Sequence, residues 1–388
     1  MRLLKDFSVS TVLAGAITVL VGFTTSVAIV FQAAYASGAS TAGAASWIWA
    51  LGMGMGVTCI GLSLQFRIPV VTAWSTAGAA MLITSAPAFS AGEVVGAFVV
   101  AAVLTVAVGF GGIFQKFMHR VPLPLAAGML AGVLLRIGLD VFVVMGNQWQ
   151  MPLMMTLVYL LAQRLWPRYS VLFALAAGIV WALATDQVHL AQVDWQWAYP
   201  VWVTPQWTVA SFFSLALPLF VITMASQNIP GVAAMYANGY RLALSPVIGC
   251  IGLINVLLAP FGAFALNLAA ITASVCAGPQ AHKNPAQRYT ASISAGVFYM
   301  LAGLAGASVV SVFAAFPKPL VMVVAGLSLF GTISNALAVA MQETASRQAA
   351  FITFAVTASG LSFWGVGAPF WGLVAGAVAM LLAAPAQD

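Results

Sequence analysis

Residues 67–85, Arg-Ile-Pro-Val-Val-Thr-Ala-Trp-Ser-Thr-Ala-Gly-Ala-Ala-Met-Leu-Ile-Thr-Ser, decide the fold of this chain. Residues 68–71 are β-branched around a proline and predict extended backbone, whereas residues 73–83 are small and alanine-rich and predict a helix. A helix that begins near Trp74 leaves several N–H groups of its first turn without intrahelical partners. The neighbouring hydroxyls suited to cap those groups are Thr72, Ser75 and Thr76.

The composition indicates that this segment lies in a membrane. Of the 388 residues, 63% are hydrophobic and 5% are charged, and the mean hydropathy is +1.05, whereas an ordinary soluble domain has roughly 25% charged residues. At membrane depth, a broken helical segment is tolerated only where it lines a cavity inside the protein. Because a helix N-terminus attracts negative charge, the segment predicts a site for an anionic or dipolar ligand.

Apolar stretches separated by glycine, proline or charged residues divide the chain into fourteen candidate membrane segments. They are residues 10–32, 44–66, 68–85, 92–115, 121–144, 151–163, 169–186, 208–228, 244–260, 262–278, 288–313, 317–339, 348–362 and 364–384. If the N-terminus is cytoplasmic, Lys318 is the only basic loop residue that falls on the outer side. The positive-inside rule therefore favours this orientation, in which both termini lie in the cytoplasm. The inner basic residues are Arg2, Lys5, Arg67, Lys116, Arg120, Arg164, Arg168, Arg241, Lys283, Arg288 and Arg347.

The fourteen segments predict an all-α membrane protein built from two sets of seven. Because seven is odd, the second set must have inverted topology. The third segment, residues 68–85, then corresponds to the tenth, residues 262–278, which also has an extended start before a small-residue helix. Asn267 is placed to cap that second helix. Two half-helices, each preceded by a short strand, are therefore expected to meet at mid-membrane, as in secondary transporters.

Four motifs resemble those of one transporter family, and the similarity covers essentially the whole chain. They are Pro-Val-Val-Thr-Ala-Trp-Ser-Thr-Ala-Gly-Ala-Ala at 69–80, Thr-Met-Ala-Ser-Gln-Asn-Ile-Pro-Gly at 223–231, Ala-Ala-Ile-Thr-Ala at 269–273 and Thr-Ala-Ser-Gly-Leu at 357–361. By these motifs the chain resembles the BenE family of benzoate:proton symporters. The resemblance implies an inner-membrane protein that imports benzoate or a similar aromatic carboxylate with a proton. No cofactor is expected, and no metal either, because the three cysteines show no CxxC spacing.

The resemblance also implies the UraA-like fold of nucleobase symporters and sulfate permeases. In that fold a core domain is expected at residues 1–120 and 208–315, and a gate domain at residues 121–207 and 316–388. An elevator-type movement of the core against the gate is implied, as is a homodimer embedded in membrane lipid.

Two positions depart from the pattern of uracil transporters. Where those proteins carry carboxylates, this chain has Gln227 and Leu266. A buried carboxylate accepts hydrogen bonds from a neutral nucleobase, but it repels a benzoate-like anion in a site of low dielectric. The missing carboxylates therefore favour an anionic substrate. They also leave the residue that carries the coupled proton unassigned.

Polar residues near the predicted helix breaks are the candidates for substrate binding. Helix capping and hydrogen bonds between helices are the alternative roles for such residues in a membrane. The aromatic ring of a substrate is expected against Trp74, Phe23 or Phe264. The full set of binding candidates is Thr25, Ser26, Thr72, Trp74, Ser75, Thr76, Gln227, Asn228 and Asn267.

Arg136 and Asp140 are the charged residues inside the fifth segment. Their i, i+4 spacing predicts a structural or gating ion pair in which each charge neutralises the other.

Other functions remain open to different degrees. The same half-helices are able to line an uncoupled anion channel, and another small organic anion or a nucleobase-like substrate is a further alternative. An enzyme is not expected, because the apolar segments carry no paired carboxylates, metal-ligand cluster or Ser/His/Asp set. A nucleic-acid partner is not expected either, since the net charge of +6 in so apolar a chain is expected to report membrane orientation.

Overall fold

The computed structural model describes residues 6–112, 122–188 and 195–383, which form mostly helix. The helices of the first half are α1 (Val9–Ala36), α2 (Thr41–Phe66), α3 (Thr76–Ser85), α4 (Ala91–Phe110), α5 (Leu123–Asn147), α6 (Gln150–Leu165) and α7 (Ser170–Ala184). Those of the second half are α8 (Val209–Ala237), α9 (Leu244–Leu258), α10 (Ile271–Ala277), α11 (Tyr289–Leu304), α12 (Gly306–Ala314), α13 (Lys318–Gln342), α14 (Arg347–Ala358) and α15 (Ala368–Ala383). The strands are β1 (Thr72–Trp74) and β2 (Leu266–Leu268).

Among the described residues, six helices are long and apolar enough to cross a membrane, and eight spans result if each bent pair counts as one. The first bent pair is the two parts of α1, which meet at 44°, and the second consists of α11 and α12, which meet at 62°. Each of the fourteen predicted segments contains helix. The chain is therefore a mostly helical, multi-pass membrane protein, while the number of crossings and the inverted repeat stay predictions.

The two strands pair with each other at the centre of the structure. The pairing is antiparallel, and the N–H groups of Ser75 and Ala269 extend it by donating to the carbonyls of Ala265 and Val71 at 2.9 and 3.0 Å. Each broken segment thus satisfies backbone groups of the other, which a membrane interior requires because it supplies no water. The opposed residues are Thr72 and Leu268, Ala73 and Asn267, and Trp74 and Leu266.

The first half-helix begins later than the sequence predicts. We expected helix from Ala73, but α3 starts at Thr76 because the preceding residues through Trp74 pair with β2. Ser75 is the N-cap of α3, and its Oγ accepts the N–H of Gly78 at 3.0 Å, as predicted for one of the three candidate caps.

Asn267 does not cap the second half-helix, contrary to the prediction. The N-cap of α10 is Ala270, which makes no side-chain capping bond. Asn267 lies fully buried in β2, and its amide, oriented so that both of its polar atoms are satisfied, accepts from the Ser75 N–H at 3.0 Å and donates to the Leu268 carbonyl at 2.9 Å. Asn267 therefore joins the two broken segments instead of ending one of them.

Helix α8 continues through two prolines by widening locally. The expected segment ended at residue 228, yet the helix extends to Ala237. A helical proline crowds the carbonyl four residues before it, which belongs to Ser214 for Pro218 and to Ser226 for Pro230. Both serines lie within π-helical turns, Phe212–Ala216 and Met224–Asn228, whose wider backbone accommodates the ring.

Arg67, Asp6 and Tyr289 connect three elements at one end of the molecule. The Arg67 guanidinium lies 3.9 Å from the Asp6 carboxylate and donates to the Tyr289 hydroxyl at 2.6 Å, and that hydroxyl donates to Asp6 at 2.7 Å. The end of α2 and the start of α11 therefore lie on the same side, as the predicted topology requires. The predicted domain boundary at residue 120 lies outside the described residues. So do four of the basic residues used for that topology, Arg2, Lys5, Lys116 and Arg120.

Arg288 is expected to stabilise the end of α10. Its guanidinium is 8% exposed and donates to the carbonyls of Ala277 and His282 at 2.9 and 2.8 Å. Because hydrogen bonds from charged groups contribute about 1.5–3 kcal/mol each, Arg288→Gln should lower the thermal unfolding temperature of the purified protein in detergent. Arg347→Gln is the matched control, since Arg347 donates to the Met341 carbonyl at 2.9 Å but is exposed. Equal shifts in the two variants would contradict the assignment.

Candidate functional site

A cavity of about 630 Å³ lies beside the paired strands, and this volume is in the range of small-molecule binding sites. One wall comes from α1, α8, α11 and the two strand–helix junctions, and it includes Thr25, Trp74, Thr76, Gln227, Thr272 and Tyr299. The opposite wall comes from α5, α6, α7 and α13, and it includes Leu130, Tyr159, Gln163, Thr332 and Asn335. The cavity thus separates the halves of the chain that the sequence assigned to core and gate.

Among the described residues that line this cavity, none carries a charged side chain. The polar lining consists of hydroxyl and amide groups, which are able to donate hydrogen bonds without adding negative charge. No group of three or more His, Cys, Asp or Glu that is able to hold a metal ion occurs in the described parts of the chain. The site is therefore suited to binding a small polar or anionic molecule through neutral donors.

Trp74 places an aromatic ring in the core wall, the cavity wall formed by the segments assigned to the core. Its indole N–H donates to Ser26 Oγ at 2.8 Å, and that hydroxyl donates in turn to the Gly22 carbonyl at 2.8 Å. The ring of Phe23 meets the indole edge-on with a centroid distance of 4.8 Å, which is a favourable geometry for an aromatic pair. These contacts hold the indole in one orientation at the cavity.

The other two predicted aromatic contacts do not line the cavity. Phe23 lies behind Trp74, and Phe264 packs against Trp47 and Phe98 with centroid distances of 5.7 and 6.1 Å.

Thr25 and Ser26 lie on α1 at its bend and both line the cavity. The Thr25 hydroxyl donates to the Val21 carbonyl at 2.7 Å, as Ser26 does to Gly22. Such back-bonds from Ser and Thr bend helices. The proton of each hydroxyl is therefore used within α1. The Ser26 oxygen already accepts the Trp74 indole N–H, whereas the Thr25 oxygen remains available as an acceptor.

Gln227 and Asn228 are neighbours in sequence but have separate environments. Gln227 lies in the second π turn of α8, lines the cavity and forms no hydrogen bond with another described residue. Asn228 is 1% exposed and does not line the cavity, and its Oδ1 accepts the Leu268 N–H at 2.9 Å. The structure therefore makes Gln227 available to a ligand and uses Asn228 to hold β2.

Three further candidates lie behind the cavity wall instead of lining it. Thr72 Oγ1 lies 2.6 Å from Thr58 Oγ1 and attaches β1 to α2. Ser75 caps α3 and receives a hydrogen bond from Thr223 at 3.4 Å. With Asn267, these residues shape the wall by supporting backbone that does line it, including Ala73 and Thr76.

Arg136 and Asp140 do not form a direct ion pair, although both lie on α5. Among the described residues, the ion pair that does form is the one between Arg67 and Asp6. Arg136 is exposed and Asp140 is partly exposed, and neither residue lines the cavity. Their charges nevertheless interact across one turn of α5, and the structural or gating role of the pair stays a prediction.

Sequence reasoning missed several residues of the cavity. Tyr299, on α11, and Tyr159, on α6, are 2% and 5% exposed and both line it. A tyrosine within an apolar helix is a usable signal, because its hydroxyl needs a partner when it is buried. The amides of Gln163 and Asn335 come from helices that carried no predicted break, so no local pattern indicated them.

A multi-pass helical bundle in which two half-length helices begin beside a central cavity has the architecture of a membrane transport protein. A sequence model of the BenE family, described as benzoate membrane transport protein, matches residues 5–382. The chain belongs to this benzoate membrane transport family.

Two relatives match over almost the whole chain. The inner membrane protein YdcO of Escherichia coli (strain K12) is 44% identical over 368 residues, which cover 95% of this chain and 94% of that protein. The benzoate membrane transport protein of Acinetobacter baylyi is 38% identical over 378 residues, which cover 97% of this chain and 96% of that protein.

Solved structures support the fold. SLC26A9 matches with a TM-score of 0.62 at 14% identity, over 98% of this chain and 65% of the SLC26A9 chain, so this chain spans about two thirds of that protein. The transmembrane domain of the cyanobacterial bicarbonate transporter BicA matches with a TM-score of 0.58 at 13% identity, over 97% of each chain.

The separate environments of Gln227 and Asn228 predict different effects on stability. Asn228→Ala leaves the buried Leu268 N–H without its acceptor, which costs about 1–3 kcal/mol of unfolding free energy, and should lower the thermal unfolding temperature in detergent. Gln227→Ala removes no hydrogen bond and should change that temperature little. A loss of stability in Gln227→Ala as large as in Asn228→Ala would contradict the distinction.

Proposed function

We propose that this protein imports benzoate, or a similarly small aromatic carboxylate, together with a proton across the inner membrane. The observation that carries the proposal is the central cavity, which offers the Trp74 indole and neutral donors and has no charged side chain among its described lining residues. The family description and the name of the Acinetobacter relative agree with this ligand.

The electrostatics of the cavity favour an anion over a neutral base. A carboxylate at the position of Gln227 would repel benzoate in a medium of low dielectric, whereas an amide donates to it. The start of α3 at Thr76 adds the positive end of a helix dipole, which contributes about 0.3–1 kcal/mol toward a nearby negative charge. The substrate ring then lies against Trp74 and the carboxylate among the donors of the core wall.

Transport is proposed to occur by movement of a core domain, residues 1–120 and 208–315, against a gate domain, residues 121–207 and 316–388. A hydrophobic cluster formed within the gate alone supports this division, and it includes Val141, Met155, Val171, Leu175, Leu320 and Val323. A unit with its own cluster is able to stay rigid while its neighbour moves. Fourteen spans in two inverted sets, cytoplasmic termini and a homodimer complete the proposal.

The described conformation is proposed to face the cytoplasm. The cavity extends along the start of α5 at Leu123, the end of α6 at Gln163 and the last turns of α13 at Val339, which are all predicted inner ends. At the predicted outer end, Ser214 donates to the Gly365 carbonyl at 3.2 Å and accepts the Gly367 N–H at 3.0 Å. These bonds join core to gate on the closed side.

Uptake by proteoliposomes tests the function directly. An inward proton gradient should drive labelled benzoate above its outside concentration, because downhill movement of the coupled proton supplies the free energy. A gradient that has no effect on accumulation, with benzoate merely equilibrating across the membrane, would contradict symport and favour the uncoupled channel.

Gln227→Glu is expected to make benzoate binding dependent on pH. A glutamate here is partly buried beside the anion, so its pKa should be raised, and it stays protonated below that pKa. Binding should therefore be retained at low pH and lost as the pH rises through the raised pKa, measured by calorimetry from about pH 5.5 to about pH 8.

Gln280→Glu is the matched control, because Gln280 is exposed and outside the cavity. Affinity in Gln227→Glu that stays at the wild-type value at the upper end of the pH range, in folded protein, would locate the anion elsewhere.

A further inference from the structure

We propose that the hydroxyl of Tyr299 donates a hydrogen bond to the carboxylate of the bound substrate. Tyr299 lies on α11, in the wall opposite the gate, and is not among the residues that the sequence indicated. The inference rests on the proposed function, because it names a donor for the anion of that same site.

The first observation is that Tyr299 is buried and lines the cavity at the same time. Only 2% of its surface is exposed. No hydrogen bond joins its hydroxyl to another residue in the described parts of the chain. Buried polar groups almost always have a partner, so an unpaired hydroxyl at a cavity calls for one that the cavity supplies. A ligand with an acceptor oxygen meets that need.

The second observation is the position of the hydroxyl oxygen. Gly22 of α1 lies against it, and a Cβ at Gly22 would be 3.1 Å from the Tyr299 oxygen. The glycine therefore leaves the hydroxyl accessible at a point where a side chain would crowd it. Gly22 itself lines the cavity, as does Thr272 at the start of α10.

The third observation is that the rings of Tyr299 and Trp74 share a neighbour, Phe23. Phe23 lies 6.2 Å from the Tyr299 ring and 4.8 Å from the Trp74 ring, measured between centroids. Phe23 therefore contacts both Tyr299 and Trp74, and the last two residues line the cavity. A small aromatic acid is able to place its ring at Trp74 and its carboxylate at the Tyr299 hydroxyl.

Three of the other hydroxyls in the cavity lining are less suited to donate to the ligand. The protons of Thr25, Ser26 and Ser328 are used by backbone carbonyls at 2.7, 2.8 and 2.7 Å. A phenol is also a more acidic donor than an aliphatic hydroxyl, and O–H bonds to a carboxylate are among the strong ones in proteins. With no cation among the described lining residues, such a donor has a large share in holding the anion.

Tyr299→Phe tests the inference because it keeps the ring and removes only the hydroxyl. Calorimetric affinity for benzoate should fall about ten- to a hundred-fold, with little change in thermal unfolding temperature. Tyr159→Phe is the matched control. Tyr159 is also a buried tyrosine whose hydroxyl bonds no other described residue, but it belongs to the opposite wall and packs against Phe330 instead of the Phe23–Trp74 pair. The affinity of this variant should stay within about three-fold of wild type, less than the loss of one good hydrogen bond.

A comparison of 4-methylbenzoate with 4-chlorobenzoate separates a hydrogen bond from a structural role. The two substituents are similar in size, but chlorine makes the carboxylate a weaker acceptor. Wild-type protein should prefer the methyl compound, and Tyr299→Phe should lose that preference, which a packing defect would not do. If Tyr299→Phe does not fold, the preference of the wild-type protein for 4-methylbenzoate over 4-chlorobenzoate is still measurable.

The possible outcomes distinguish a failure of this inference from a failure of the proposed function. Wild-type protein that binds benzoate, together with a Tyr299→Phe variant of unchanged affinity, would overturn the role of Tyr299 and leave the proposed function intact. The role of Tyr299 would also be overturned if benzoate affinity fell more in Tyr159→Phe than in Tyr299→Phe. The same holds if the wild-type protein had no preference between the two substituted acids. Wild-type protein that does not bind benzoate would overturn both.

Discussion

The pairing of β1 with β2 is the constraint on which the rest of this structure depends. A segment that is half strand and half helix exposes backbone N–H and C=O groups, and each unsatisfied group costs several kcal/mol in a membrane interior. The two segments, far apart in sequence, satisfy these groups for each other through the ladder between Thr72–Trp74 and Leu266–Leu268. Either broken segment alone would be untenable, so the halves of the chain must fold around one another.

Side chains around the strand pair complete what the ladder begins. Asn267 bonds the backbone of both broken segments, Asn228 accepts from β2, and the Thr72 hydroxyl meets Thr58 of α2. These polar groups bond the scaffold and do not line the cavity. They hold the starts of α3 and α10 beside the cavity, and this fixed geometry supports the proposal that neutral groups bind an anion there.

Helix α8 illustrates how an irregular backbone separates two roles. Its second π turn accommodates Pro230 and also directs neighbouring residues to different surroundings. Gln227 lines the cavity while Asn228 turns to β2. The amide at Gln227 avoids the repulsion that a carboxylate would exert on an anion, which connects the local helix geometry to the charge of the proposed substrate.

The sequence by itself determined the membrane class, the strand-then-helix form of both broken segments, and the neutrality of position 227, because composition, β-branching and residue identity are local properties. Its motifs also indicated the family. Only the tertiary structure decided which polar residues line the cavity: Thr25, Ser26, Trp74, Thr76 and Gln227 do, while Thr72, Ser75, Asn228 and Asn267 support it from behind. The start of α3 at Thr76, the bond of Asn267 to Ser75 and the position of Tyr299 depend on partners between about 190 and 280 residues away in the chain, and no local pattern encodes which distant backbone or ring a side chain will meet.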